Sequence, residues 1–419
     1  MARHEPARRR WLKTGLGLGA VALGGAGLAT LDGPRLMNPC RAALPPALAD
    51  HPLVRAAWQG LDASLVWDCH AHLAGVGDRD SGIRVSDRMM SPWHPAEYVQ
   101  RIFYMNAGCV HDAPGRVDDS FVERLHNLME GMAPGFKLML FAFDHAHDGA
   151  GRALPEVSAF YVPDAWARRV AQAEPRWFEW VCSIHPYRPD AVDALEAAAA
   201  AGARAVKWLP PAMGIDPADP RCDRFYRALA RLELPLITHA GEEKAVHGVG
   251  APDWGNPLRL RRAMGQGVRV VLAHCATLGE DVDLDRSADG PRVASFTLFQ
   301  RLMDEPAARD RLFGDISAII LRNRDPAVIH EIIARSDWHD RLLFGSDYPL
   351  PGILPLTSPR ALSRAGLLDP AAVPVLGEIQ EHNPLLFDLV LKRALRSDGQ
   401  ALPARVFETR RVFERSRSA

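Results

Sequence analysis

Short apolar runs recur along this chain, each of roughly six to eight residues rich in Val, Ile and Leu, and each ending in polar side chains. Eight stand out: 64–73 (SLVWDCHAHL), 136–144 (FKLMLFAFD), 178–186 (FEWVCSIHP), 203–211 (ARAVKWLPP), 234–241 (LPLITHAG), 268–277 (VRVVLAHCAT), 311–321 (RLFGDISAIIL) and 341–349 (RLLFGSDYP). Between them the apolar residues fall at helical spacing, as in 190–201, 223–231 and 326–335. Strand and helix patterns in alternation predict a parallel sheet, and eight such units predict an α/β fold of the (β/α)8 TIM-barrel type over 63–392. The long gap between the first two runs, 74–135, predicts an insertion that forms a lid or pocket wall. An open doubly wound sheet is the alternative, weakened because no glycine-rich phosphate fingerprint follows the first run. A lead-in, 30–62, precedes the barrel and a basic tail, 393–419, follows it, with Val406, Phe407, Val412 and Phe413 available to tack the tail down.

The start of the chain breaks this pattern. Arg3, Arg8, Arg9, Arg10 and Lys13 face a single acid, Glu5, and an uncharged Gly-, Ala- and Leu-rich stretch runs from 14 to 30. A basic region, an apolar region and then small residues is the order of a removable signal peptide, and Gly27 to Ala29 put cleavage after Ala29. Arg8 and Arg9, followed by Trp11, Leu12 and Lys13, resemble a twin-arginine signal, which implies the twin-arginine export machinery as a partner and the bacterial periplasm as the destination. The stretch is too glycine-rich for a stable span of about 20 strongly apolar residues, and no later run approaches that length.

Composition then narrows the function classes. The chain of 419 residues carries 50 basic and 51 acidic side chains, for a net charge of -1. Without the five cations and one anion of residues 1–29 the remainder stands at -5. Neither value offers the basic footprint that nucleic-acid binding needs. At 47% hydrophobic and 24% charged, disorder, collagen and coiled coil are excluded. Six scattered cysteines without a CxxC pair predict a fold that does not depend on disulfides. A homo-oligomer is compatible with everything above.

The polar residues at the ends of the runs carry the candidate chemistry. His70 and His72 are two apart in the first strand, so both imidazoles share a face. His239 ends the fifth run, His274 the sixth and Asp347 the eighth, with Lys207 in the corresponding place on the fourth, all on the side where barrel active sites lie. Neutral imidazoles with a carboxylate suit Zn2+ or another borderline divalent ion. His145, His147 and His185, at the ends of the second and third runs, either line the pocket or are satisfied structural histidines. Arg188 and Arg322, after the third and seventh runs, are candidates to clamp a substrate carboxylate. Asp68 either orients a metal-bound histidine or is a plain buried partner, Cys69 and Cys275 suit core packing, and Glu242 and Glu243 lie on the loop after His239.

Four motifs, DCHAHL (68–73), LITHAGE (236–242), LAHCATLG (272–279) and FGSDYPLPG (344–352), resemble the amidohydrolase superfamily of metal-dependent barrels. The last is especially similar to the amidohydrolase-related branch that also contains aminocarboxymuconate semialdehyde and resorcylate-type decarboxylases. The resemblance implies that His70, His72 and Asp347 bind the principal metal, with His239 on that ion or on a second one. It implies for His274 either an acid/base role, as in the decarboxylase-like members, or a place on a second ion, as in binuclear hydrolases. In the latter a carboxylated lysine, here Lys207, bridges the two ions. The order His, His, Lys, His, His, Asp resembles the binuclear set, while the competing reading of Lys207 is a cation that binds a substrate carboxylate or pairs with Asp347.

The expected activity is therefore that of a metal-dependent hydrolase acting with metal-activated water on a C–N or C–O bond, amide, lactone or ester-like, of a small molecule. Asp347 would shuttle the proton, and His274 or Lys207 would stabilise developing negative charge. A non-oxidative decarboxylase in which His274 supplies a proton is the alternative enzyme, and a non-catalytic metal-holding barrel the alternative of another class.

Overall fold

The structure, a computed structural model, describes residues 36–110, 115–243, 246 and 248–415. The signal segment with Arg8 and Arg9 lies outside the described residues. The eight apolar runs become eight strands: β1 (Trp67–His72), β2 (Lys137–Phe141), β3 (Phe178–Val181), β4 (Val206–Trp208), β5 (Leu236–Thr238), β6 (Val270–Leu272), β7 (Leu312–Asp315) and β8 (Leu342–Leu343). Helices fall where the period changes, among them Ala191–Ala200, Asp223–Arg231 and Pro326–Ala334. The last of these starts where the Asp325 side chain accepts the Ala327 N–H and a proline takes the first turn.

Every pairing among these strands is parallel, in the orders β1-β2-β3 and β8-β7-β6-β5-β4. The expectation of one closed barrel is corrected here, because the strands form two sheets. Single bridges span the seams, Cys182 to Val206 on one side and Ala71 to Tyr348 on the other. The second seam is short because β8 ends at Leu343 and the chain then leaves extended geometry, with Asp347 in the left-handed region at φ 62°.

Alternation along the strands builds two layers. Leu138, Leu140, Trp180, Val206 and Leu236 pack outward against helix residues such as Phe121, Trp166 and Phe225. Trp67, Cys69, Met139, Phe141, Val181, Ala205, Ile237, Val271 and Leu343 form a separate inner cluster. The tail completes that cluster: Val412 and Phe413 are buried in it, on the short helix Arg410–Phe413, and the Thr409 hydroxyl donates to the Trp67 carbonyl. The expected anchoring of the tail thus takes the form of an apolar floor beneath the strands.

Between β1 and β2 lie the short strand Arg84–Val85 and the helices Asp87–Met90, Pro95–Ala107 and Val117–Glu130. Arg84–Val85 pairs with Phe160–Tyr161, from the segment after β2. Cys40 and Cys109 form a disulfide, with Cα atoms 5.5 Å apart, which ties the lead-in to the end of the helix Pro95–Ala107. This corrects the disulfide-free expectation; Cys69, Cys182, Cys222 and Cys275 are free and buried, as packing requires. Among the described residues no helix is long and apolar enough to cross a membrane.

Candidate metal centre

The alternation that fills the floor also raises the polar set one step above it. Ala205, Ile237 and Phe313 belong to or pack on the inner cluster, and two residues further on stand Lys207, His239 and Asp315. On β1 the register against β2 shifts between Asp68 and Ala71, and past that irregularity Ala71 packs in the outer layer while the His70 and His72 rings both lie against the inward Phe141. His274 reaches the same place by a turn, with φ 56° at His274 and 49° at Cys275 and Ala276. Such strained backbone collects at functional sites. Gly345 is required by close approach, since a Cβ there would meet the His70 Cβ at 2.7 Å.

Single donor atoms of His70, His274 and Asp347 lie within 4.8 Å of one another, and all three residues are buried. His72 Nε2 is 3.1 Å from Asp347 Oδ1, and His70 Nε2 is 3.4 Å from the same oxygen. The His239 ring is 5.4 Å from the His274 ring. Lys207 Nζ lies 3.2 Å from His70 Nε2 and 4.9 Å from the Phe141 ring, and is itself buried. The structure thus brings together all six residues expected at the centre: His70, His72, Lys207, His239, His274 and Asp347.

What turns the imidazoles toward one another is a second set of residues. Asp315 Oδ2 accepts from His70 Nδ1 at 2.9 Å. Ser317 donates its hydroxyl to Asp315 Oδ1, so its oxygen accepts from His274 Nδ1 at 2.8 Å. Glu243 Oε2 lies 3.4 Å from His239 Nδ1. In each ring the partner on Nδ1 leaves the Nε2 lone pair for the centre. Asp68 Oδ1 accepts the N–H groups of His70 at 3.1 Å and Ser346 at 2.8 Å, which joins β1 to the segment carrying Asp347. Behind it Lys392 Nζ donates to the Gly345 carbonyl at 2.7 Å and to Asp388.

Electrostatics fit the same picture. Burial, with the nearby Lys207 amine, lowers His70 to about 4, and burial lowers His239 and His274 as well, so the rings are neutral near pH 7. Burial opposes charge on Asp347 and Asp315, yet the facing imidazoles, His70 first, hold both below the usual carboxylate range. Burial also lowers Lys207, against the opposing pull of Asp315, Asp347 and Glu243. Neutral imidazoles, ionised carboxylate and a buried His239 Nε2 with no partner among the described residues make a donor set that fits a divalent cation.

The expected substrate contacts fare differently. Arg322 is exposed, whereas Arg324, two residues on, turns inward and donates from Nε to the Thr277 hydroxyl at 3.1 Å. Arg188, a candidate carboxylate clamp, is engaged by Asp144 at 3.1 Å and Asp190 at 2.7 Å. His185 is fully committed, its Nε2 3.0 Å from the Met213 carbonyl and its Nδ1 accepting the Tyr187 N–H at 3.2 Å. His145 stacks on Tyr161 with ring centroids 3.8 Å apart. None of these three joins the metal-type cluster. Asp315, Ser317 and Arg324 are the residues that sequence reasoning missed; only Asp315 left a signal, as an isolated acid inside an apolar run.

A model of the family described as Amidohydrolase matches residues 67–353, more than half of the chain. The chain belongs to the amidohydrolase family. Its members share the fold and the enzyme superfamily, and the match spans β1 to the loop after β8, where the polar cluster lies. Solved structures similar to this amidohydrolase chain include an uncharacterised TIM-barrel protein from Bordetella bronchiseptica, at 18% identity over 69% of this chain and 88% of that one, TM-score 0.43. Others are a probable 2-pyrone-4,6-dicarboxylic acid hydrolase from Acinetobacter baumannii, at 15% identity over 68% and 84%, TM-score 0.38, and a 5-carboxyvanillate decarboxylase from Sphingomonas paucimobilis, at 12% over 83% and 98%, TM-score 0.41. No curated protein sequence matches the chain.

Proposed function

We propose that this amidohydrolase is a metal-dependent hydrolase that breaks a C–N or C–O bond of a small molecule, an amide, lactone or ester. His70, His72 and Asp347 would hold the principal ion, Zn2+ being the best match to the donors, with His239 and His274 on that ion or on a second. When bound, such an ion acidifies water and polarises a carbonyl. The observation that carries the hydrolytic reading is Lys207: a buried amine, lowered by burial, against His70 and with no carboxylate within 4.0 Å among the described residues. In its unprotonated form such a lysine is a nucleophile toward carbon dioxide, giving up a proton to solvent as the N–C bond forms, and the carbamate would add an anionic ligand for a two-ion centre.

The chain's own residues supply the rest. Asp347, ionised and facing three imidazoles, accepts a proton from the attacking water and returns it to the leaving group. Asp315 and Ser317 fix the His70 and His274 tautomers through the cycle. A second reading, non-oxidative decarboxylation, is favoured by His274, whose Nε2 lies 3.9 Å from Asp347 Oδ2 and would relay a proton that it first accepts on its lone pair. Export fits the Cys40–Cys109 bond, since disulfides persist in oxidising compartments outside the cytoplasm; the twin-arginine route is the proposed one.

The deciding experiment is a screen of lactones, esters, amides and small carboxylic acids with metal-loaded protein in 18O-labelled water, beside 13C NMR of protein held in 13C-bicarbonate. Hydrolysis puts one labelled oxygen into the product, and a carbamate signal disappears in Lys207→Met. Carbon dioxide release without label uptake transfers the site to the decarboxylase reading, and a wild-type protein without the carbamate signal removes the two-ion form.

A further inference from the structure

The strand that leads to Asp347 is short, and the chain beyond it is held by other means. β8 ends at Leu343, whose carbonyl accepts the Ile316 N–H from the β7 side at 2.9 Å, while the Phe344 carbonyl accepts the Cys69 N–H from β1 at 3.1 Å. Carbonyls alternate along an extended chain, so the next one, of Gly345, returns to the β7 side. There β7 no longer runs beside it. The strand stops at Asp315, the Ser317 N–H is taken by the Asp315 carboxylate at 3.0 Å, and Ala318 has turned into the left-handed region at φ 54°. The donor that reaches the Gly345 carbonyl comes from outside the eight strand units. It is Lys392 Nζ, at 2.7 Å, on the helix Pro384–Ala394. Lys392 is fully buried, and so is its counter-ion Asp388, one turn earlier on the same helix.

This bond bears on the centre because Gly345 opens the turn that carries Asp347. Ser346 donates its N–H to Asp68 at 2.8 Å and Asp347 donates its own to the His70 carbonyl at 2.7 Å. With those two N–H groups fixed toward β1, the Gly345 carbonyl is the third support of the turn, and rotation of its peptide plane re-aims the Asp347 carboxylate. A buried ion pair adds little net stability over an apolar pair of the same size, so stability alone does not account for Lys392. Its charge makes the bond to the carbonyl roughly twice as strong as a neutral donor would. We infer that Lys392 is a positioning residue of the metal centre: through the Gly345 carbonyl it sets where Asp347 meets the imidazoles. This rests on the proposed role of Asp347 as a metal ligand.

The test reads the ion as well as the fold. Co2+, a coloured substitute for Zn2+, is titrated against a chelator in wild type, in Asp388→Asn, and in a double variant of Lys392→Met with Asp388→Leu, which removes both buried charges together and strands neither. The double variant should unfold in urea near the wild-type midpoint. It should nevertheless bind Co2+ about 10- to 100-fold more weakly, the range for groups that orient a metal ligand, and with a changed visible spectrum. Asp388→Asn keeps the bond from Lys392 to Gly345 and should match wild type in both readouts. A folded double variant with wild-type affinity and spectrum overturns the inference. So does an equal loss in Asp388→Asn, because the anchoring of the helix would then be what matters. Should the double variant not fold, the wild-type chain decides. Labelled with 13Cε-lysine, its five lysines give few signals, and the one that moves in Asp388→Asn should move again when Zn2+ is added. A signal indifferent to Zn2+ overturns the inference. Failure of the underlying reading looks different. A wild type that takes up no Co2+ removes the metal role of Asp347 and this inference with it, whereas one that takes up Co2+ but hydrolyses nothing defeats the hydrolase alone and leaves Lys392 its role.

Discussion

Two groups of histidines stand at strand ends in this protein. One, His70, His239 and His274, lies in β1 and just after β5 and β6; the other, His145, His147 and His185, follows β2 and β3. Both hold buried rings, all three of the first group and His147 and His185 of the second, and His147 and His185 approach to 4.4 Å, closer than the 4.9 Å of His70 and His274. Burial and proximity therefore do not separate them. The ring nitrogens do. In the first group each Nδ1 faces a side-chain oxygen, of Asp315, Ser317 or Glu243, and each Nε2 turns to the centre. In the second, His185 gives both nitrogens to the backbone, His147 Nδ1 meets the His145 carbonyl at 2.9 Å, and Asp144 is consumed by Arg188 and by the N–H groups of His145 and His185. A ring built to take a ligand keeps a lone pair free and aimed at its neighbours, while a ring built to hold a fold, as His185 does, uses up both nitrogens.

The contrast is sharpest under removal of one group at a time. Asp347→Ala takes out the carboxylate that faces three imidazoles and should abolish both metal retention and turnover. A divalent ion contributes several kcal/mol to a transition state, so the loss is about 10³-fold or more. His185→Ala should leave metal content at the wild-type level. Elemental mass spectrometry of the purified variants, beside turnover, checks both. Full metal in Asp347→Ala, or its loss in His185→Ala, would erase the distinction between the groups.

A smaller effect is expected from Asp315→Asn. The amide still fills the space but can present its NH2 to His70, which would then lose the partner that fixes its tautomer. Outer partners of this kind are worth about 10- to 100-fold in metal affinity or activity. Competition with a chelator measures it directly. An unchanged affinity would show that the His70 ring is held by packing against Phe141 alone.

How much of this is legible in the sequence follows from what periodicity can encode. Of the residues that end the eight runs, Lys207 and His239 lie where a period of two puts them, His70 and His72 share their face across an irregularity of β1, and His274 and Asp347 arrive through left-handed turns beyond their strands. Periodicity assigns a face, but not what stands across from it. Asp315 therefore passes as strand polarity although a lone acid in an apolar run needs a buried partner. Arg322 and Arg324 sit in a turn, where no period applies, and only the fold decides which one enters the site. The Cys40–Cys109 pairing spans 69 residues and is set by the path of the lead-in, which spacing does not contain.

The smallest effect concerns pH and belongs to the second group. Burial first, then the His147 ring, lowers His185 to about 3 in the folded protein, against roughly 6.5 in an unfolded chain. Between those values the unfolded chain takes up a proton that the folded His185 refuses. Proton binding then favours unfolding, so stability is lost as pH falls below about 6.5 and the loss continues toward 3. At pH 5 this one group accounts for about 2 kcal/mol. His185→Gln has no such titration and can still donate to the Met213 carbonyl. Its stability deficit relative to wild type, read from urea unfolding at pH 7.5 and 5, should therefore shrink by about that amount at the lower pH. A deficit that stays constant would mean that His185 is already open to protonation in the folded state, and so available to a ligand after all.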